Sequence, residues 1–248
     1  MRFLHWLPLL LVAASAQALS PRELDSVGRR VWQNECGGTR EGLTSWNTGE
    51  NFASLGIGHF IWYPKGVNGP FDESFPSLVK FLAANGAKTP DWLAGDCPWN
   101  TRAEFLAAAK GEKLSALRDL LASTVSLQAR FLSQRMEAAL PKMLAAAPAG
   151  EREKIRANYQ HLAGTSAGTF ALIDYVNFKG EGTKDTERYQ GEGWGMLQVL
   201  AGMNGSDAAA FGRSADEVLT RRVRHAPPER NEARWLPGWK NRVRAYAQ

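Results

Sequence analysis

Residues 35–59 read ECGGTREGLTSWNTGENFASLGIGH, and everything else in the chain is placed by how this stretch folds. Glu35 closes an apolar-periodic pattern that Gly37-Gly38 should stop, since glycine accepts the left-handed conformation that ends a helix. Ser54-Leu55-Gly56-Ile57-Gly58-His59 follows one loop later. A carboxylic acid at a helix end facing a glycine-rich hairpin is one way for a helical protein to build the floor and one wall of a cleft.

Working outward, Ser20-Pro21-Arg22-Glu23 predicts the start of that helix. Ser20 is the N-cap, Pro21 takes the first helical position, and Glu23 closes a capping box. At about 100° per residue Leu24, Val27, Val31 and Glu35 share one face, so the acid points where the core points. An ion pair with Arg29 or Arg30 is the alternative use of Glu35. Asn47-Thr48-Gly49-Glu50-Asn51 predicts a turn between two short strands, the second spanning roughly 54–62. Helices are expected near 75–85, from Thr101 with Glu104 as a second capping box, and over 113–146, 151–163, 167–178, 192–203, 214–224 and 231–246, with prolines such as Pro64, Pro90, Pro141 and Pro148 as punctuation. The expected fold is mainly α (α+β): a helical bundle with a small N-terminal β-hairpin element lining a cleft.

Met1 to Ala18 combines Arg2, an apolar run and Ala16/Ala18 at the positions of a cleavage site, so it reads as a signal peptide. Residues 19–248 are then a single domain, expected to be soluble and monomeric in the periplasm or secreted, without stable membrane insertion. Hydrophobic residues make up 44% and charged residues 22%, which leaves no case for disorder. The formal charge of +5 favours anionic partners, and export argues against nucleic acid. The two cysteines, Cys36 and Cys97, predict one disulfide in an oxidising compartment. No Cys/His spacing suggests a metal, and no cofactor is expected.

Ser54 to His59, preceded by a helix-terminal acid, resembles the phage-type lysozymes, glycoside hydrolase family 24. Those proteins carry a catalytic Glu at the end of the first helix, a hairpin with a second acid, then a hydroxyl residue and a Gly-x-Gly-His turn. Ala171 to Gly182 is similar to the helix and glycine-rich stop on the far side of their cleft, and Pro237 to Arg244 to their basic C-terminal helix. Residues 65–165 have no counterpart and read as a helical insertion. The resemblance implies an enzyme cleaving the β-1,4 glycan backbone of peptidoglycan, with Glu35 as general acid, Glu50 as partner, and Ser54, His59 and Asn177 at the substrate. Glu41-Gly42-Leu43 also matches the family's Glu-Gly-Leu start and makes Glu41 the rival acid.

Glycosidic cleavage needs a protonated acid beside the leaving oxygen, which an apolar setting supplies. With Glu50 as water-positioning base the outcome is hydrolysis. With Glu35 alone the chemistry is that of a lytic transglycosylase, and a catalytically inactive glycan-binding protein is the reading from another class. Chitin or chitosan is the alternative substrate. Gln190 and Trp194, in a loop rich in glycine and aromatics, suit hydrogen bonding and stacking on sugar. Trp46, Trp62, Trp92 and Trp235 are expected in the core, and Arg221, Arg222, Arg224, Arg242 and Arg244 on solvated helix faces.

Overall fold

The computed structural model describes residues 19–69 and 71–248; the predicted signal peptide lies outside them. Helix α1 spans Pro21–Cys36 and begins as read, with Ser20 and Glu23 bonded reciprocally and Pro21 in the first turn. It ends at Gly37, whose φ of 63° is left-handed. Val27, Val31 and Cys36 are buried along one face. Gly28 lies on the same side, where a β-carbon would stand 2.6 Å from Val125 Cγ1, so glycine lets α1 approach the start of α5 closely.

The strand expected over 54–62 is two strands folded back at residues 56–59. β1 (Thr44–Ser45), β2 (Ala53–Leu55) and β3 (Phe60–Trp62) form an antiparallel sheet in that order, with Ser45 opposite Ser54 and Leu55 opposite Phe60. Gly56 adopts φ 70°, and a β-carbon there would collide with Gln128 Oε1. The chain reverses there because glycine opens that conformation to it.

Helices α2 (Phe75–Ala84) and α3 (Arg102–Ala107) pack over the sheet. Trp62 joins them through Phe75 at 4.8 Å and Trp99 at 6.4 Å between ring centroids, and Trp99 meets Phe105 at 5.1 Å. The helix expected over 113–146 is two, α4 (Glu112–Ser123) and α5 (Val125–Ala146). Thr124 interrupts them by turning its hydroxyl to the Leu120 carbonyl at 2.7 Å. Pro141 lies inside α5 rather than ending it, at the loss of one backbone donor.

Gln128, fully buried, bridges this break to the hairpin turn. Its Nε2 donates to the Leu121 carbonyl at 2.7 Å, and its Oε1 accepts from Ile57 N at 3.0 Å. Gln128→Leu strands both backbone groups, so it is expected to cost at least about 2 kcal/mol in urea unfolding. A loss below about 0.5 kcal/mol would contradict this role.

Helices α6 (Arg152–Ala163), α7 (Ser166–Lys179), α8 (Met196–Gly202), α9 (Ala208–His225) and α10 (Leu236–Arg244) complete the bundle. α8 starts later than the predicted 192 because β4 (Arg188–Tyr189) and β5 (Glu192–Gly193) form a hairpin there. Gln190 and Gly191 at its tip both have positive φ, as a tight primed turn requires. Asp207 caps α9 by accepting from Ala210 N at 2.7 Å, which starts that helix before the predicted 214. The described residues are mainly helical, and nearly all their buried apolar side chains form one continuous cluster. No helix among them is long and apolar enough to cross a membrane.

Candidate active site

The last turn of α1 delivers Glu35 to the 56–59 turn. His59 Nδ1 lies 3.7 Å from Glu35 Oε2, and the carboxyl side chain is 13% exposed. His59 holds a left-handed φ of 48° and sets Nε2 3.9 Å from Cys36 Sγ, so its ring braces the hairpin against the helix end. The expected partners of Glu35 do not pair with it: Arg29 bonds Asp25, and Arg30 bonds the Ala245 carbonyl.

Arg242 on α10 takes that place, donating to Glu35 Oε1. The same guanidinium grips Asp174 of α7 twice, Nε to Oδ2 at 2.8 Å and Nη2 to Oδ1 at 2.9 Å. Asp174 also accepts from the Tyr246 hydroxyl at 2.5 Å and Asn34 Nδ2 at 3.0 Å, and its side chain is fully buried. Burial opposes the charge on Arg242, but Asp174 and Glu35 hold its pKa above the ordinary range. Arg242 is therefore a central residue of the site, not part of a solvated face. The sequence does offer a signal for its partner: Asp174 is the lone charge in the apolar run Phe170 to Val176, and buried aspartate needs a partner.

Beside this cluster runs a groove of about 280 Å³ between α5 and α7. Leu132, Arg135 and Met136 form one wall, Val176, Asn177 and Gly180 the other. Glu35 does not line it. The groove begins past the residues that fix Glu35, because Leu132 packs under Gly58 and Val176 follows Asp174 on α7. Asn177 is exposed in the groove, where a substrate amide contact was expected.

Other expected residues are placed differently. Glu50 lies in the β1–β2 turn, its carboxylate accepting from Asn47 Nδ2 at 3.1 Å. At about 3.3 Å per residue, β2 separates that turn from the 56–59 turn by roughly 10 Å. Glu50 is thus not brought into contact with Glu35. Ser54 is buried in the central strand, 4% exposed. Glu41 sits in a 3-10 turn beyond the helix, exposed. Gln190 is exposed at the β4–β5 tip. Trp194 is buried, with the Arg222 guanidinium 4.2 Å from its ring, so it is a core residue rather than a stacking surface. Trp46 and Trp62 are buried as expected, whereas Trp235 is 41% exposed.

Arg222 also leaves the solvated set. It clamps Glu232 at 2.8 and 2.9 Å, and Tyr189 and Arg230 complete the shell of this fully buried carboxylate. Burial alone would raise the Glu232 pKa, and the hydrogen bonds from Arg222 and Tyr189 bring it below the usual value instead.

The expected disulfide is absent. Cys36 donates to the Gly56 carbonyl at 3.6 Å behind the hairpin turn, while Cys97 donates to the Trp99 carbonyl at 3.4 Å in the tryptophan cluster. Each thiol is buried among its own neighbours. Burial, aided by the charge of Glu35, pushes the Cys36 thiol up to about 12, and burial pushes Cys97 up to about 11. Although Cys36, His59 and Glu35 stand in a row, a thiol so reluctant to ionise is a poor nucleophile. Thiol titration is expected to find no fast-reacting group in the native protein and two after denaturation; two that stay unreactive when unfolded would restore the disulfide.

Lys179 ends α7 beside this site. Its Nζ lies 3.3 Å from the Trp239 ring centroid and 3.9 Å from that of Phe178. Burial first, then the charge of Arg222, lowers its pKa from 10.5 to about 7. The folded state therefore binds fewer protons here than the unfolded chain between pH 7 and 10.5, so this residue makes stability rise with pH across that window. Lys179→Met is expected to flatten the rise in melting temperature between pH 7 and 10; an unchanged slope would contradict it.

Comparison with protein-family models, curated proteins and solved structures finds no match for this chain.

Proposed function

We propose that the protein is an exported, lysozyme-like enzyme that cleaves the β-1,4 glycan backbone of peptidoglycan, with Glu35 as general acid. The observation that carries this reading is Glu35 itself: a nearly buried carboxyl at a helix end, set against His59 of the hairpin turn. A general acid must change protonation state during turnover. Arg242 does not depend on Glu35 for its counter-charge, because Asp174 holds it on two atoms. No buried cation is then left without a counter-charge.

The placement of Glu50 favours a second reading of the same site. A water-positioning partner is expected roughly 6.5 to 9.5 Å from the acid, whereas Glu50 is bonded to Asn47 in the β1–β2 turn, at the other end of β2 from the turn that Glu35 meets. Asp174, the nearest other acid, is committed to Arg242. A single acid suits transglycosylation, in which a hydroxyl of the sugar closes on its own anomeric carbon. Product mass spectrometry separates the two: reducing-end fragments indicate hydrolysis with Glu50 positioning water, and 1,6-anhydro ends indicate transglycosylation. Intact glycan strands after prolonged incubation would overturn both.

A further inference from the structure

Asparagine followed by glycine occurs three times in the chain, at Asn68-Gly69, Asn85-Gly86 and Asn204-Gly205. The backbone nitrogen after an asparagine can attack that residue's side-chain carbonyl, and glycine, with no β-carbon, leaves the approach open. Ring closure needs a side-chain amide and a following N–H that are both free to turn, so the fold decides which pair reacts. Asn85 is locked. Its Nδ2 donates to the Phe81 carbonyl at 2.8 Å, its Oδ1 accepts from Arg130 Nη1 at 3.2 Å, and Gly86 N donates to the Ala83 carbonyl at 3.1 Å. Asn68 is exposed, but Gly69 packs against buried Tyr63, whose hydroxyl would lie 2.3 Å from a β-carbon there. Pro70 follows, and a residue before proline is held extended.

Asn204 has neither restraint. It stands with Gly205 and Ser206 on the exposed turn between α8 and α9, and among the described residues neither its amide nor the Gly205 N–H has a hydrogen-bond partner. Beyond its chain neighbours, only Ala210 Cβ and Arg213 Nη2 come within 4 Å of the place a Gly205 β-carbon would take. We infer that Asn204 is a site of spontaneous deamidation, with water as the only co-reactant. Gly205 N gives its proton to a solvent base and bonds to Asn204 Cγ. The bond from Cγ to Nδ2 breaks, and the nitrogen takes a proton from water and leaves as ammonia. Water then opens the cyclic imide at either carbonyl, leaving aspartate or isoaspartate. Because hydroxide favours loss of the first proton, the rate rises with pH. Each event lowers the formal charge of +5 by one, and isoaspartate adds a methylene to the main chain of the turn. The start of α9 lies beyond the altered bond, where Asp207 accepts from Ala210 N at 2.7 Å. The site is independent of the glycan-cleaving reading, since it lies on the connection of α8 to α9 and Glu35 lies on α1.

The test is peptide mass spectrometry of purified protein held at mildly alkaline pH, in native buffer and in urea. In urea the three pairs are expected to deamidate at similar rates, since each asparagine is followed by glycine. In the native protein Asn204 should be the fastest of the three. Asn85 should react at least about tenfold more slowly than Asn204, because its hydrogen bonds must break before the ring can close. Asn68 should fall between them. Asn204→Gln, whose longer side chain closes the ring poorly, should stay folded by circular dichroism and lose the fast event. An Asn204 that survives in native buffer while reacting in urea overturns the inference. Native deamidation of Asn85 or Asn68 at the rate of Asn204 overturns it as well.

Discussion

Replacing Glu35 with Gln is expected to lower glycan cleavage by about 10²- to 10⁴-fold, the contribution typical of a positioned general acid. The amide preserves shape and can still accept from Arg242, so folding should be retained and a loss of activity cannot be ascribed to collapse of the site. Two companion variants give the result its meaning. Glu41→Gln changes an exposed side chain in the 3-10 turn and is expected to leave the rate within about twofold, as surface changes away from a site usually do. Glu50→Gln alters a turn residue bonded to Asn47. It is expected to slow hydrolysis if the products carry reducing ends, and to have little effect if they carry anhydro ends. A Glu41→Gln variant as inactive as Glu35→Gln would move the acid off α1.

The second large effect is expected at Asp174. Asp174→Ala removes the acceptor for two atoms of Arg242, the hydroxyl of Tyr246 and the amide of Asn34. Breaking a buried ion pair from one side costs about 3 to 5 kcal/mol, because the remaining charge stays out of water. Chemical denaturation is the measurement, and a loss below about 1 kcal/mol would show that the pair does not hold α7 to α10. Arg242→Met should cost a similar amount by stranding Asp174, and the double variant much less than the sum, since neither charge is then left alone. In Asp174→Ala the only carboxylate left to Arg242 is Glu35, so turnover should fall even at temperatures where the variant is folded.

The parts of this architecture that could be read from the sequence are those fixed by neighbours in the chain. The capping box at Ser20 and the stop at Gly37 follow from short-range backbone needs, whereas the reversal at Gly56 falls inside the single strand expected over 54–62. The split between α4 and α5 was not legible, because the break at Thr124 is held by Gln128, which bonds the hairpin turn some 70 positions earlier in the chain. Likewise Arg242 and Arg222 carry residue types that usually face water, and only the folded chain brings Asp174 and Glu232 to them. The cysteines misled for a related reason: pairing them required proximity, and the fold sends one behind the hairpin and the other into the tryptophan cluster. Trp194 and Trp235 exchanged places with expectation, one buried beneath Arg222 and the other standing at the surface.

The claim on which the account turns is that this protein cuts glycan strands with Glu35. Its most direct test is incubation of purified peptidoglycan sacculi with the wild-type protein and, in parallel, with Glu35→Gln, followed by mass spectrometry of the soluble fraction. The account predicts disaccharide-containing fragments released by the wild type and almost none by the variant. No release by well-folded wild-type protein, or equal release by both, would contradict it.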